Sequence, residues 1–395
     1  MTLLNHIPAL VRMAPVSVLK SMFFSIVDPK TLAFALVVSL ILVLSRAMES
    51  TGQMKRLLEK FRGLVQSPRL NLVIFPALIG LLPMPGGAVF SAPMVKELGG
   101  DSKLTNAQLS FVNYWFRHIW EYWWPMYPGV LLATMMADIS LPVFVAMMIP
   151  LTLTAMGLGT ISLKGLGEVK PEKIKRTRPP FGPFLKELTP ILIVIVPGLL
   201  LGTLLSRNFP RFSAAKEAGL IASLILSVSW LWHENRMPAA DMAGIVIDRK
   251  MVDISYMVIA ILVFKGILGD SEAVRGISNE MMKLHIPLFL VAVLLPFMVG
   301  LFTGITIAFV GSTFPILISL VQAQGQAEFM PAYIMVGLSC GFAGVLLSPL
   351  HLCLLLSNAY FETKLSPVYR SLWLPTLLMM AASMGYFWVI RGFYL

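Results

Sequence analysis

Charge is what this sequence is poorest in. Only 13% of its 395 residues are Asp, Glu, Lys or Arg, while 57% are hydrophobic and the mean hydropathy is +0.80. Ordinary soluble domains carry about twice that share of charge. The shortage excludes a typical soluble domain and leaves a polytopic membrane protein. Cysteine is scarce too. Cys340 and Cys353 both fall in apolar stretches, which argues against a disulfide framework and against a cysteine-based zinc cluster. No P-loop or H-E-x-x-H occurs, so the chain by itself is not expected to drive transport with ATP. No secretory leader is expected either. Residues 1–29 lack a basic start, and Arg12 and Lys20 interrupt their apolar run. Acidic residues are outnumbered, giving a net charge of +11. Membrane proteins gather Lys and Arg on their cytoplasmic loops, so this excess does not call for nucleic acid.

What is abundant is apolar sequence in pieces long enough to cross a bilayer, which takes about 20 residues. Residues 31–48, 140–163, 187–206, 216–233, 253–268 and 370–390 read as spans, and residues 8–28 form a weaker one. Residues 49–65 set Lys55, Arg56, Lys60 and Arg62 among Met54, Leu57, Leu58, Phe61 and Leu64. That spacing predicts an amphipathic helix at the membrane interface. Residues 270–285 are a second short, charged arm. Residues 69–98 are apolar but carry Leu82-Pro83-Met84-Pro85-Gly86-Gly87-Ala88 at their centre. Proline removes a donor and glycine loosens a helix, so this stretch is either an external loop or a re-entrant helix-turn-helix hairpin. Its apolar flanks favour the hairpin. Residues 104–138 are interrupted at Pro125 and Pro128. Residues 287–321 are interrupted around Thr303-Gly304-Ile305-Thr306 and Gly311-Ser312-Thr313. Residues 330–361 are interrupted at Ser348-Pro349. Residues 164–186, with seven Lys or Arg and four Pro, read as a linker between halves.

The order span, amphipathic arm, broken hairpin, proline-broken helix, span occurs twice. Arg46 and Lys265, Pro93 and Pro315, and Pro125 and Pro349 fall 219, 222 and 224 residues apart. Chance resemblance between apolar sequences is the competing explanation, but three ordered matches at a nearly constant offset favour a duplication. The expected organisation is therefore repeat one over residues 1–163, linker 164–186 and repeat two over residues 187–395. If each hairpin returns to its own side, nineteen Lys and Arg collect on the face holding residues 50–69, 96–103, 164–186, 233–250 and 362–370, against seven on the other. The first face, linker included, is then cytoplasmic in a cell membrane. The two repeats are inverted, as in secondary transporters whose sites lie near the midplane between broken helices.

Pro85, Gly86, Gly87 and Ser91 in the first hairpin, and Thr303, Gly304, Thr306, Gly311, Ser312 and Thr313 in the second, offer backbone N–H groups, carbonyls and hydroxyls. Such tips hold an anion or a sodium ion; the bland reading is an interfacial loop. Asn113-Tyr114-Trp115-Phe116-Arg117-His118-Ile119-Trp120-Glu121-Tyr122 puts three ionisable groups within five residues. Charges at that depth are costly and usually face a polar interior. One reading gives Arg117 to a substrate carboxylate and His118 or Glu121 to a coupling proton. The other pairs Arg117 with Glu121 at i and i+4 and leaves them structural. A metal site from His118 and Glu121 is disfavoured, because Arg117 opposes a cation and no dense ligand cluster accompanies them. Ser348 sits at the last break, with His351 and Asn358 beyond it; His351 is either a site residue or a satisfied core histidine. Trp120, Tyr122, Trp123, Trp124 and Tyr127 read as an interface belt or a cavity wall.

Three of these stretches carry a resemblance: Leu82 to Ala88, Asn113 to Tyr122, and Gly341-Phe342-Ala343-Gly344-Val345-Leu346-Leu347-Ser348-Pro349-Leu350-His351-Leu352-Cys353. They look like the motifs of the domain of unknown function 401 family. That family is similar to the ion transporter superfamily of gluconate, citrate, dicarboxylate and arsenite carriers. The resemblance implies two inverted repeats with re-entrant hairpins, and often a homodimer working by an elevator motion. Dicarboxylate carriers have Ser-Asn-Thr at the hairpin tips. Here Phe90-Ser91-Ala92-Pro93 and Gly311-Ser312-Thr313-Phe314-Pro315 stand instead, a departure that bears on dicarboxylate specificity and on sodium coupling. The resulting expectation is an all-α secondary transporter of a small organic anion, coupled to H⁺ or Na⁺, with no other cofactor. Intramembrane enzyme and passive channel are the alternatives. The enzyme lacks a nucleophile beside a base in sequence, and paired hairpins argue against a continuous pore.

Overall fold

The structure is a computed structural model that describes residues 15–84, 86–99, 104–163, 179–271 and 273–393. Pro85 and most of the expected linker, residues 164–178, lie outside the described residues. Everything described is helix, turn or irregular, with no strand. Among the described residues, seven helices are long and apolar enough to cross a membrane, which makes the chain a multi-pass membrane protein.

Helix starts follow local chemistry. Helix α1 covers Pro15–Val27 and α2 covers Pro29–Ser50, where Asp28 accepts the Thr31 N–H and Pro29 occupies the first turn. A proline there loses nothing, because its missing N–H would be unpaired anyway. At 13 residues, about 20 Å, α1 is too short to span a bilayer, so the expected span at residues 8–28 is not formed by the part described. The amphipathic arm is α3, Gln53–Phe61. Its apolar face is buried on protein: Phe61 packs on Phe75 and Phe184. Arg56 ties the arm to Glu187 and Asn235.

The first hairpin is α4, Pro68–Gly80, and α5, Ala88–Gly99, joined by a turn. Helix α6, Asn106–Arg117, starts on a Thr105–Gln108 capping box. Residues 118–127 are irregular, and α7, Pro128–Met136, follows. The break therefore begins eight residues before Pro125, at the C-terminus of α6. Then come α8, Leu141–Gly159; α9, Phe181–Asn208; and α10, Ala215–Glu234. Lys186 and Glu187, expected at the end of the loop and the start of a span, lie inside α9, which begins five residues before Lys186. A short α11, Ala239–Val246, was not anticipated. Helix α12 is Arg249–Asp270, and α13, Ala273–Lys283, is the second arm. The second hairpin is α14, Leu288–Thr303, and α15, Thr306–Ala323. It breaks only at Gly304, whose φ of +65° suits a residue without a Cβ. The further break expected around Gly311-Ser312-Thr313 is absent, because both hydroxyls bond back to carbonyls of α15 and the helix runs on. Helix α16, Met330–Leu347, breaks at Ser348 before α17, Leu352–Tyr360; α18, Leu365–Gly392, ends the described fold.

Contacts give the course of the chain. At one end Arg46 meets Asp248, Arg56 meets Glu187, Lys186 meets Glu234 and Arg62 meets Glu97. At the other, Lys30 meets Asp138, Ser21 donates to Asp270 and Lys265 donates to the Met136 carbonyl. Helices α2 and α12 therefore run antiparallel, and Ser39 and Ser255 hydrogen-bond between them at 2.7 Å. The first hairpin enters and leaves from the end holding Arg46. Its tip reaches the middle of the protein.

Candidate functional site

Two helix breaks and two hairpin tips meet in the interior. The closeness begins at Gly80, the last residue of α4. A Cβ there would sit 1.9 Å from the Arg117 carbonyl oxygen, so only glycine lets α4 lie against the end of α6. The last carbonyls of α4 have no partner within their own helix. The aromatic run supplies one. Trp120 Nε1 donates to the Ala77 carbonyl at 2.7 Å, Tyr127 Oη to Gly80 at 2.7 Å and Trp124 Nε1 to Leu81 at 2.9 Å. These three residues are helix caps, which corrects the interface-belt reading. Tyr122 is buried with an unpaired hydroxyl.

Arg117 is 2% exposed, His118 1%, Glu121 6% and His351 7%, so the cluster is closed to solvent. The expected Arg117–Glu121 pair does not form. Helix α6 stops at Arg117, so residues 118–121 leave the helical spacing that would have brought the two side chains together. Arg117 Nη2 donates to the Met84 carbonyl at 2.7 Å, at the tip of the first hairpin. Its Nη1 lies 3.1 Å from Cys353 Sγ and 3.2 Å from His118 Nε2. Its Nε has no partner. Gly87 lies against the same guanidinium: a Cβ would come within 2.6 Å of Nη2. Gly86, at φ +78°, makes the turn just before it. Glu121 Oε2 instead accepts the Thr306 hydroxyl at 2.8 Å, and its Oε1 lies 3.7 Å from His118 Nε2. Thr306 belongs to the second hairpin tip, so Glu121 links the first break to the second hairpin.

His118 Nδ1 lies 2.5 Å from the Tyr114 carbonyl oxygen. A carbonyl only accepts, so Nδ1 carries the hydrogen and Nε2 presents its lone pair inward. His351, the residue preceding α17, brings its own Nε2 to 3.1 Å from it. His351 is therefore in the site and is not a satisfied core histidine; its Nδ1 has no partner. His118, His351 and Cys353 place their ligand atoms within 4.8 Å of one another. That overturns the expectation that no dense ligand cluster exists here and that no nucleophile stands beside a base. Nothing local signals it, because Cys353 and His118 are 235 residues apart and only the meeting of the two breaks joins them.

The other expected residues divide. Gly304 packs on Ser348 Oγ and the His351 backbone, and Ser348 accepts the Leu350 N–H at 3.2 Å. Both shape the second break. Ser91 donates to Asn113 Oδ1 at 2.6 Å. Asn113 donates to the Ala88 carbonyl and to Ser357 Oγ, each at 2.9 Å. Ser110 donates to Asn358 at 2.6 Å. These pairs bind α5, α6 and α17 together, and Asn358 Nδ2 is left without a partner. Thr303, Ser312 and Thr313 bond back into their own helices. The structure thus gathers Gly87, Arg117, His118, Glu121, Thr306 and His351, and adds Cys353 and the Met84 carbonyl.

No curated protein matches the chain. Over residues 4–390 the sequence matches the family described as "Protein of unknown function (DUF401)", and with nearly its whole length covered the chain belongs to that family.

Proposed function

We propose that this chain is a secondary transporter of a small organic anion, working by alternating access and coupled to H⁺ or Na⁺. One observation carries the reading. Arg117 is a buried guanidinium with no carboxylate among its hydrogen-bond partners and an unpaired Nε beside the glycine tip of the first hairpin. A buried cation without an anion is costly, and an incoming carboxylate supplies the missing charge and acceptor together.

Topology supports the same reading. Exchanging α4–α8 with α14–α18 turns one set of touching pairs into another: α4 on α6 becomes α14 on α16, and α7 on α15 becomes α17 on α5. Pro93 and Pro315 lie in the second helix of each hairpin, and Pro125 and Pro349 in each break. Helices α2 and α12, the spans that carry Arg46 and Lys265, are antiparallel. These features favour inverted repeats in which each hairpin opens from its own side and the site lies between their tips. The excess of Lys and Arg favours a cytoplasmic side for the end holding Arg46 and Glu97. On this reading α9 and α10 join the repeats, the membrane is the cell membrane and the protein acts as a dimer.

The test is a thermal-shift screen of the purified protein against small organic acids, with and without sodium, followed by uptake of the best ligand in vesicles. Arg117→Ala is expected to abolish both the shift and the uptake while the protein still reaches the membrane. An unchanged shift reduces Arg117 to a structural role and removes the basis for an anion. A second reading, an intramembrane thiol enzyme, has the Cys353–histidine proximity behind it. Full turnover-free binding and uptake by Cys353→Ser sinks that one.

A further inference from the structure

We propose that His118, His351 and Cys353, with Glu121 beside them, form a binding site for a divalent transition-metal ion of the zinc class. The proposal concerns the same interior site as the transport reading but does not depend on it.

The geometry comes first. A zinc-like ion holds imidazole nitrogens at about 2.0 Å and thiolate sulfur at about 2.3 Å, which sets neighbouring ligand atoms roughly 3.3 to 3.6 Å apart in a tetrahedron. The two Nε2 atoms are 3.1 Å apart, Glu121 Oε1 is 3.7 Å from His118 Nε2, and Cys353 Sγ is within 4.8 Å of both imidazoles. A side-chain adjustment of about 1 Å closes the set. The donors are two imidazoles, a thiol and a carboxylate, a mixture that suits zinc, cobalt or nickel better than calcium or magnesium.

The hydrogen bonding points the same way. A metal-binding histidine usually donates its outer N–H to a carbonyl, which fixes the inner nitrogen as a ligand. His118 does so through Tyr114. Without an ion, His118 Nε2 has one lone pair and two claimants, Arg117 Nη1 at 3.2 Å and His351 Nε2 at 3.1 Å. An ion takes both imidazole lone pairs and removes the conflict.

Arg117 is the objection, because a guanidinium repels a cation. The charges answer it. A dipositive ion bound by a Cys353 thiolate and a Glu121 carboxylate is a neutral centre, and the guanidinium then faces a thiolate rather than a bare ion. Arg117 remains the one uncompensated charge, available to an anionic ligand.

The experiment uses the purified full chain. Metal is removed with chelator, Zn²⁺ or Co²⁺ is added back, and metal content is measured after desalting. The cobalt form is examined for visible ligand-field bands and a thiolate charge-transfer band. The expected result is about one ion per chain, with the charge-transfer band lost in Cys353→Ser and ion binding lost in His351→Asn. Both variants are checked for an unchanged size-exclusion profile. A monodisperse wild type that retains no ion overturns the proposal, and so does a charge-transfer band that survives in Cys353→Ser. Metal retention is read without any transport. An organic-acid thermal shift in metal-free protein would therefore leave the transport reading standing while the metal site fails.

Discussion

Gly80→Ala separates local propensity from tertiary contact. Gly80 is helical, and within a helix alanine is favoured over glycine by about 1 kcal/mol. Sequence alone therefore predicts a small gain in stability. The structure reverses the sign. The new Cβ would stand 1.9 Å from the Arg117 carbonyl oxygen, where ordinary contact needs about 3.5 Å. Both atoms are rooted in backbone, so α4 and the end of α6 must part by about 1.5 Å. The three aromatic caps, at 2.7, 2.7 and 2.9 Å, then pass beyond hydrogen-bond range. Their loss costs about 1 kcal/mol each, and the overpacking about 1–3 kcal/mol more. After the propensity gain the net loss is about 3–5 kcal/mol, a large part of a typical folding free energy. The assay is thermal stability of detergent-solubilised protein by fluorescence-detected size exclusion. Gly80→Ala is expected to lower the melting temperature sharply or to yield no monodisperse peak. Gly87→Ala is the control, because the nearest atoms to its Cβ are the far end of the Arg117 side chain, 2.6 Å away, and not backbone. It should fold normally and weaken organic-anion binding about tenfold or more by displacing the guanidinium. Equal stability of wild type and Gly80→Ala would refute the close approach of α4 to the first break.

The antiparallel pairing of α2 and α12 predicts that Ser39→Cys with Ser255→Cys, in a chain without Cys340 and Cys353, forms a disulfide on mild oxidation. The hydroxyls are 2.7 Å apart, within the reach of a disulfide. Failure to cross-link while a Ser39→Cys pair with another α12 position succeeds would displace the register. Sidedness predicts that cysteines at Glu59 and His233 label from the cytoplasm and one at Glu328 from outside; labelling of all three from one side rejects the inverted arrangement.

Much of the fold was legible because the bilayer imposes it. Apolar length marked most of the spans, and the helical spacing of apolar residues among basic ones marked α3. Proline and glycine marked both hairpins and the break after α16, since they remove donors or relax the backbone wherever they stand. The same signal misled at residues 104–138. Pro125 and Pro128 are conspicuous, yet α6 ends at Arg117. The aromatic run shows why. Side chains of Trp120, Trp124 and Tyr127 are drawn to the carbonyls of α4, and that pull has no signature within the segment itself. Gly311-Ser312-Thr313 misled in the opposite direction, because hydroxyls that bond back to their own helix leave it intact.

The sequence by itself determined a helical membrane protein with two interrupted hairpins and a charged centre at Arg117, His118 and Glu121. Each of those follows from composition, spacing or backbone chemistry, which act over a few residues. Tertiary structure decided the partners: Glu121 with Thr306, Arg117 with Met84 and Cys353, and His118 with His351. These contacts join residues 33 to 236 positions apart. Their distances depend on how closely helices pack, which Gly80 sets at one point and no periodicity reveals.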